Sequence, residues 1–303
     1  MAAPTDRPRS FDVVVVGSAN LDLVASVEHL PAPGETVTAR GYAEHPGGKG
    51  LNQAVAARRS GSRTAFIGCL GRDAAGDVLH RVMTDEGIDA FVVDVAAPTG
   101  RALIAVDQSA ENSIVVVPGA NHQVGIGVID DHRSILSDTH VVLAQLEVPL
   151  EAVEAAFAIA RLADAITILN PAPATALPAG LLSLCDIVMP NQTELTQLGG
   201  ADALLAAGVS TVVTTLGARG LRVITADGTI DVPPYAVRAV DTTGAGDAAC
   251  GALAASLAHG SDVVTAARRA AAAGALAATR AGAVPSLPTA VEIDGLVDGR
   301  VDG

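Results

Sequence analysis

The chain has 303 residues, enough for one large α/β domain or a domain with a small accessory unit. Its formal net charge of −14 repels phosphate backbones, and the basic pairs Arg58–Arg59 and Arg268–Arg269 read as solvated helix faces, so no nucleic-acid partner is expected. Half of the residues are apolar and only 2% aromatic, which excludes intrinsic disorder and demands a core built of Ala, Val, Leu and Gly.

Residues 1–10 are polar, carry two prolines and lack an apolar h-region, and are expected to form a disordered N-terminal extension before a domain spanning 11–296. Val13–Val16 is a continuous β-branched run ending at Gly17, the pattern of a central strand buried on both faces. Helical character begins near Gly50, runs through Asn52–Ser60 and stops at Gly61. Thr64–Ile67 reads as a strand, and Asp73 can cap a helix reaching Glu86. The alternation continues with strand His140–Leu143, helix Leu150–Leu162 and strands Ile166–Leu169, Ile187–Met189 and Val212–Thr215. Two Ala-rich helices follow, about Ala245–Ala258 and Val263–Arg280. This order predicts a three-layer α/β/α fold with a mostly parallel central sheet.

Two segments break the rhythm, about 23–44 and 100–119. The first holds Pro31, Pro33 and Gly34 followed by β-favouring Thr36–Thr38. In the second, Arg101–Asp107 and Ser113–Val117 flank a turn as a hairpin. Together they predict a small inserted β-sheet. Ala102–Val106 is apolar on both faces, so a second subunit is expected to cover one of them. No stretch has the uninterrupted apolar length of a membrane span. Cys69, Cys185 and Cys250 give neither a disulfide framework nor metal-ligand spacing, which together with the missing span points to the cytoplasm.

The sharpest chemical signal is Asp241-Thr-Thr-Gly244-Ala245-Gly246-Asp247, leading straight into a helix. Glycines that open a helix leave N–H groups free at the positive end of its dipole, where phosphate oxygens bind. A carboxylate in that first turn suits proton removal from an attacking hydroxyl, and phosphoryl transfer needs both parts. Taken alone, Gly-x-Gly-Asp is more often a turn whose Asp caps the helix; the full motif in its strand–turn–helix setting favours function. A Walker A loop and a dinucleotide-binding Gly-x-Gly-x-x-Gly are both absent, which removes two large nucleotide-binding classes.

Gly47-Gly48-Lys49-Gly50-Leu51-Asn52-Gln53 allows close ligand approach and places donors on a first helical turn, although a flexible loop reads as well. Asn20 and Asp22 lie just past the first strand's C-terminal end, where open α/β sheets bind ligands, and suit a polyol; an Asx-turn is the alternative. Glu147 follows strand His140–Leu143 in the same topological position. Asn191-Gln-Thr-Glu194 marks either a metal–phosphate site or a helix-capping box. Thr215-Leu-Gly217-Ala-Arg-Gly220 permits approach of a base or phosphate, or makes a tight turn.

Taken together these motifs resemble the ribokinase branch of the PfkB sugar-kinase family, from about Val13 to Leu296. The resemblance implies a ribokinase-like fold with the small β-sheet as lid and homodimer contact, and ATP-dependent phosphorylation of D-ribose at O5. Deoxyribose, a hexose or a nucleoside is the alternative acceptor, and a non-catalytic sugar sensor the rival class. It further implies Asp247 as base beside a Gly244–Gly246 anion hole, with Asn20, Asp22, Gly48, Lys49, Asn52, Glu147 and Asp247 around the sugar. Asn191, Thr215, Gly217, Gly220 and Gly246 would meet the nucleotide, and Glu194 would be associated with Mg²⁺. A monovalent cation, K⁺ in the first instance, would sit near Asp241, Thr243, Ala277, Arg280, Gly282 and Ser286.

Overall fold

A computed structural model describes residues 8–109 and 111–300. In chain order the first half comprises β1 (Phe11–Val16), β2 (Asn20–Ser26), β3 (Gly41–Gly47), α1 (Lys49–Arg59), β4 (Thr64–Gly71), α2 (Ala74–Asp85), β5 (Asp89–Val95), β6 (Gly100–Val106) and β7 (Asn112–Val117). After these come α3 (Ile126–Asp131), α4 (Arg133–Leu136), β8 (Thr139–Ala144), α5 (Leu150–Leu162), β9 (Ile166–Leu169), α6 (Ala179–Ser183) and β10 (Ile187–Val188). The chain closes with α7 (Gln192–Gln197), α8 (Ala201–Ala206), β11 (Thr211–Thr215), β12 (Leu221–Thr225), β13 (Gly228–Val232), α9 (Ala245–Ala258), α10 (Val263–Ala277) and α11 (Ala290–Val297).

Among the described residues the strands form a large sheet, β13-β12-β11-β10-β9-β8-β1-β4-β5, and a small one, β3-β2-β6-β7. The large sheet is parallel from β5 to β11, and its far edge is antiparallel at β12 and β13. Central β1 shows why its sequence carries no polar alternation. Val13 and Val15 enter the core under α1, α9 and α10, whereas Val14 and Val16 enter the core under α5. Helices therefore cover both faces, as the β–α alternation predicts.

The scarcity of aromatics shapes how these helices pack. At Gly251 of α9 a Cβ would lie 2.5 Å from Ala56 Cβ and 2.7 Å from the Gln53 carbonyl oxygen. The two helices thus meet nearly backbone to backbone, an approach that any larger side chain would prevent. That contact carries the start of α1 to the start of α9, where the candidate residues lie.

The small sheet is built from the two segments that break the rhythm, with different limits. It starts at Asn20 rather than near residue 23, and its second strand runs from Gly41 to Gly47, beyond residue 44. Thr36–Thr38 is loop despite its β-favouring residues, because β2 pairs instead with β3 from Ser26↔Gly41 to Asn20↔Gly47. The 101–117 hairpin is present, with Arg101↔Val117 and Val106↔Asn112 as its end pairs. Residues 1–7 of the expected N-terminal extension lie outside the described residues. The end of that segment is anchored rather than loose: Arg9 donates to the carbonyls of Thr139 and Ala163, and Ser10 Oγ donates to Asp138 at 2.5 Å.

Candidate active site

Gly244 is the N-cap of α9, with φ of 75° and no side chain to cap the helix. The left-handed conformation favours glycine there, and the lack of a side-chain cap leaves the Gly246 and Asp247 amides at the helix mouth. Ala245 N–H already donates to the Thr242 carbonyl at 3.2 Å. No atom lies within 4 Å of where a Gly246 Cβ would stand, so this edge of the turn opens onto space.

Asp247 follows on the first helical turn and is only 8% exposed. Two amides grip its carboxylate: Asn52 Nδ2 donates to Oδ2 at 2.9 Å and Gln53 Nε2 to Oδ1 at 2.9 Å. Asp247 also lines an open cleft of about 200 Å³, with Lys49, Asn191, Glu194, Thr215 and Gly246 among its walls.

Lys49 stands between the carboxylates. Burial pulls its ammonium pKa down, but Asp247, Glu147 and Glu194 outweigh that and hold it above the ordinary lysine value, so it is cationic at neutral pH. Glu194 moves the other way. Burial raises its carboxyl, and Asp247 adds to this against the pull of the Asn191 N–H and Lys49.

Asn20, Asp22 and Glu147 do not line that cleft, but Asp22 lies within electrostatic reach of both Glu147 and Asp247. Asn20 is buried at the start of β2, and its Oδ1 accepts from Asn121 Nδ2 at 2.7 Å. Burial, followed by repulsion from Glu147 and Asp247, pushes the Asp22 carboxyl up to about 7. Glu147 Oε2 accepts from Ser18 Oγ at 2.5 Å and from Lys49 N–H at 3.1 Å, placing negative charge at the mouth of α1. Both Asn20 and Asp22 are strand residues of the small sheet, not part of a loop after β1 as the sequence suggests.

Several candidates have structural duties of their own. A Cβ on Gly48 would lie 2.8 Å from Ala19 Cα, and one on Gly50 would lie 2.5 Å from Ser18 N. The glycine run thus lets α1 pack on its own chain at Ser18–Asn20. Asn191 and Glu194 form the reciprocal capping box of α7, and both also line the cleft, so the capping role does not take them away from it. Thr215 lines the cleft, whereas Gly217 and Gly220 lie in the turn beyond it. At Gly220 glycine answers a packing need, since a Cβ would meet the Val232 carbonyl oxygen at 2.2 Å.

The residues assigned to a monovalent cation come from two loops that the structure joins. Asp241 accepts from Gly282 N–H at 2.8 Å and Thr243 N–H at 2.9 Å, and Val240 N–H donates to the Ala278 carbonyl at 2.8 Å. Burial raises the Asp241 carboxyl, but the Gly282 N–H and the side chain and N–H of Thr243 outweigh it and hold the group below its usual range. Ser286 is fully buried and donates to the Ala283 carbonyl, while Ala277 O accepts from Arg280 N–H. The Arg280 guanidinium turns away to Glu292. Asp241 thus keeps its charge beside the neutral donors of Gly282 and Thr243, an arrangement that fits a weakly held cation. Among the described residues, no three His, Cys, Asp or Glu side chains cluster as a metal cage.

Sequence reasoning assigned no role to Ser18, Gln53, Asn121, Gln145 or Asn170. The available signal was positional: Gln145 and Asn170 directly follow the ends of β8 and β9, the edge where such sheets bind ligands.

Residues 10–290 match the family profile described as "pfkB family carbohydrate kinase". The chain belongs to the PfkB family of carbohydrate kinases. It is 40% identical over 294 residues to a ribokinase of Haemophilus influenzae, covering 92% of this chain and 96% of that protein. Among solved structures, a ribokinase from Thermotoga maritima superposes with a TM-score of 0.88 at 34% identity, covering 95% of this chain and 99% of that one. An Arabidopsis thaliana ribokinase complexed with ribose and ATP gives a TM-score of 0.85 at 31% identity, covering 98% and 99%. As a PfkB-family member the chain is an ATP-dependent sugar kinase, and its two sheets follow that family's fold. Among the described residues no helix is long and apolar enough to cross a membrane.

Proposed function

We propose that the chain transfers the γ-phosphoryl group of ATP to O5 of D-ribose, giving ADP and D-ribose 5-phosphate, with Asp247 as the base. One observation carries this reading. A buried carboxylate, clamped by two amides, stands at an uncapped helix mouth, lines the cleft that also holds Lys49, Asn191 and Glu194, and lies within electrostatic reach of Asp22.

Ribose offers hydroxyl donors, and the pocket offers acceptors. Asp22, the free valences of Glu147 and the Asn52 Oδ1, buried without a protein partner, all seek donors. Asn20 and the Gly48–Lys49 backbone complete the sugar contacts in this reading. Asn191 and Thr215 would flank the nucleotide, with Gly217 and Gly220 shaping the turn behind it.

As the O5–phosphorus bond forms and the bond to the β-phosphate bridging oxygen breaks, the O5 proton passes to Asp247. Charge on the moving group falls beside Lys49 and the Gly244–Gly246 turn, which line the same cleft as Asp247. A Mg²⁺ carried by the phosphates would neutralise part of that charge, held by Glu194 and Asn191. One or two protein carboxylates suffice for such an ion, in keeping with the lack of a cage. A K⁺ at Asp241 and the 277–286 loop would brace the turn that presents Gly244.

The small sheet is read as the lid that excludes water. It leaves β7 exposed along its length, including Ile114, Val115, Val116 and Val117, and a second copy covering that face is part of the proposal. A cytoplasmic setting belongs to the same reading. The test is ADP release across D-ribose, deoxyribose, hexoses and nucleosides, with phosphorus NMR of the product. Ribose should give the highest kcat/KM, with phosphate on O5. Another preferred acceptor, or phosphate at another position, would overturn the assignment.

A further inference from the structure

We propose that Gln53, held in one orientation by Gln145, is a positioning residue that fixes the rotation of the Asp247 carboxylate toward the acceptor hydroxyl. The inference rests on the reading of Asp247 as the base. Gln53 and Gln145 are both fully buried, so neither reaches substrate. They act through Asp247 or not at all.

The direction of the network follows from the chemistry of its members. An ionised carboxylate only accepts, so Gln53 must turn its Nε2 toward Asp247 Oδ1. That nitrogen also donates to Asn170 Oδ1 at 3.0 Å, and Asn170 Nδ2 in turn donates to the Met189 carbonyl at 3.0 Å. Gln53 Oε1 is thereby left facing Gln145, whose Nε2 donates to it at 2.7 Å. With Gln145 removed, the Gln53 nitrogen keeps Asp247 and Asn170 as acceptors, but its oxygen loses the donor that holds it, so the amide is free to swing and to loosen its grip on the carboxylate.

Two further features point to function over stability. The final torsion of an Asp side chain is broad and roughly two-fold, so hydrogen bonds decide where its lone pairs point. Asn52 supplies one tether but keeps an unpartnered Oδ1 that the proposed function gives to the sugar, so Gln53 is the tether that substrate binding would leave undisturbed. Gln145 Oε1 is buried with no hydrogen-bond partner and crowds Gly17, where a Cβ would lie 2.1 Å away. A stranded polar atom costs stability, and an apolar side chain of the same shape would not bear that cost.

The experiment compares Gln53→Met, Gln145→Met, the double variant and Asp247→Asn in the full chain, reading kcat and KM for ribose and the melting temperature. Gln53→Met should lower kcat by about 10²-fold with little change in KM, the scale of a misplaced reacting group. Gln145→Met removes the stranded Gln145 Oε1 but strands Gln53 Oε1 in its place, so it should lower kcat by about tenfold with little change in melting temperature, and the double variant should be no worse than Gln53→Met, since coupled sites are not additive. A folded Gln145→Met enzyme with wild-type kcat would overturn the proposal, as would additive losses or losses that follow melting temperature. Asp247→Asn separates the two claims. If it is inactive while Gln145→Met is normal, only the positioning role falls; if it turns over normally, the base assignment falls and the positioning role with it.

Discussion

Replacing Gly47 with Ala puts one methyl group against the carboxylate of Asp22. Gly47 ends β3 opposite Asn20, and a Cβ there would lie 2.2 Å from Asp22 Oδ2, 2.6 Å from Cγ and 2.8 Å from Oδ1. Non-bonded contacts relax to about 3.5 Å, so the carboxylate must retreat by roughly 1 Å. Gly47 is not among the glycines with positive φ, so alanine adds no backbone strain and the perturbation stays local. Above pH 7, where Asp22 is ionised, a hydrogen bond to its charge is worth about 1.5–3 kcal/mol net, so losing one Asp22–hydroxyl bond there should raise the ribose KM by about 10- to 150-fold. Steady-state kinetics at saturating ATP would show this with kcat and the ATP KM little changed, because Asp247 and the helix mouth are untouched. A Gly47→Ala enzyme with wild-type melting temperature and wild-type ribose KM would refute the placement of Asp22 at the sugar.

The raised Asp22 carboxyl has a signature in stability. Its folded value of about 7 exceeds the reference 3.8, so the folded protein binds the extra proton between those limits. Stability therefore falls as pH rises through that window and levels off above it. Asp22→Asn should remove this slope, gaining melting temperature relative to the wild type between pH 4 and 7; parallel curves would contradict the coupling of Asp22, Glu147 and Asp247. Asp241→Asn should abolish activation by K⁺ while leaving the cation-free rate in place, checked by titrating KCl against a bulky organic cation. Unchanged K⁺ activation would move the cation elsewhere.

The parts of this molecule legible in its sequence are those fixed by local interactions. Val13–Val16 announces a strand covered on both faces because all four side chains are apolar. Gly244 through Asp247 announces a helix mouth with a carboxylate because the glycines and the helix adjoin. The edge strands β13 and β5, and β12 beside β13, were less legible, since short, half-exposed runs carry little periodicity. Asn20 and Asp22 showed their polarity but not their strand, because β2 exists only through pairing with β3 and β6. The amides around Asp247 were hidden for the same reason. Gln53 meets Gln145 across 92 residues and Asn170 across 117, and Ala19 meets Asn121 across 102. Such partners appear only once α1 has packed on α9 and both have covered the sheet.

Turnover of Asp247→Asn with ATP and D-ribose, followed by ADP release, tests the central claim most directly. The substitution keeps the shape of the side chain and removes its capacity to take a proton. If Asp247 is the base, kcat falls by about 10²–10⁴ in a protein that still folds and binds ATP. A variant that releases ADP at close to the wild-type rate would contradict the account.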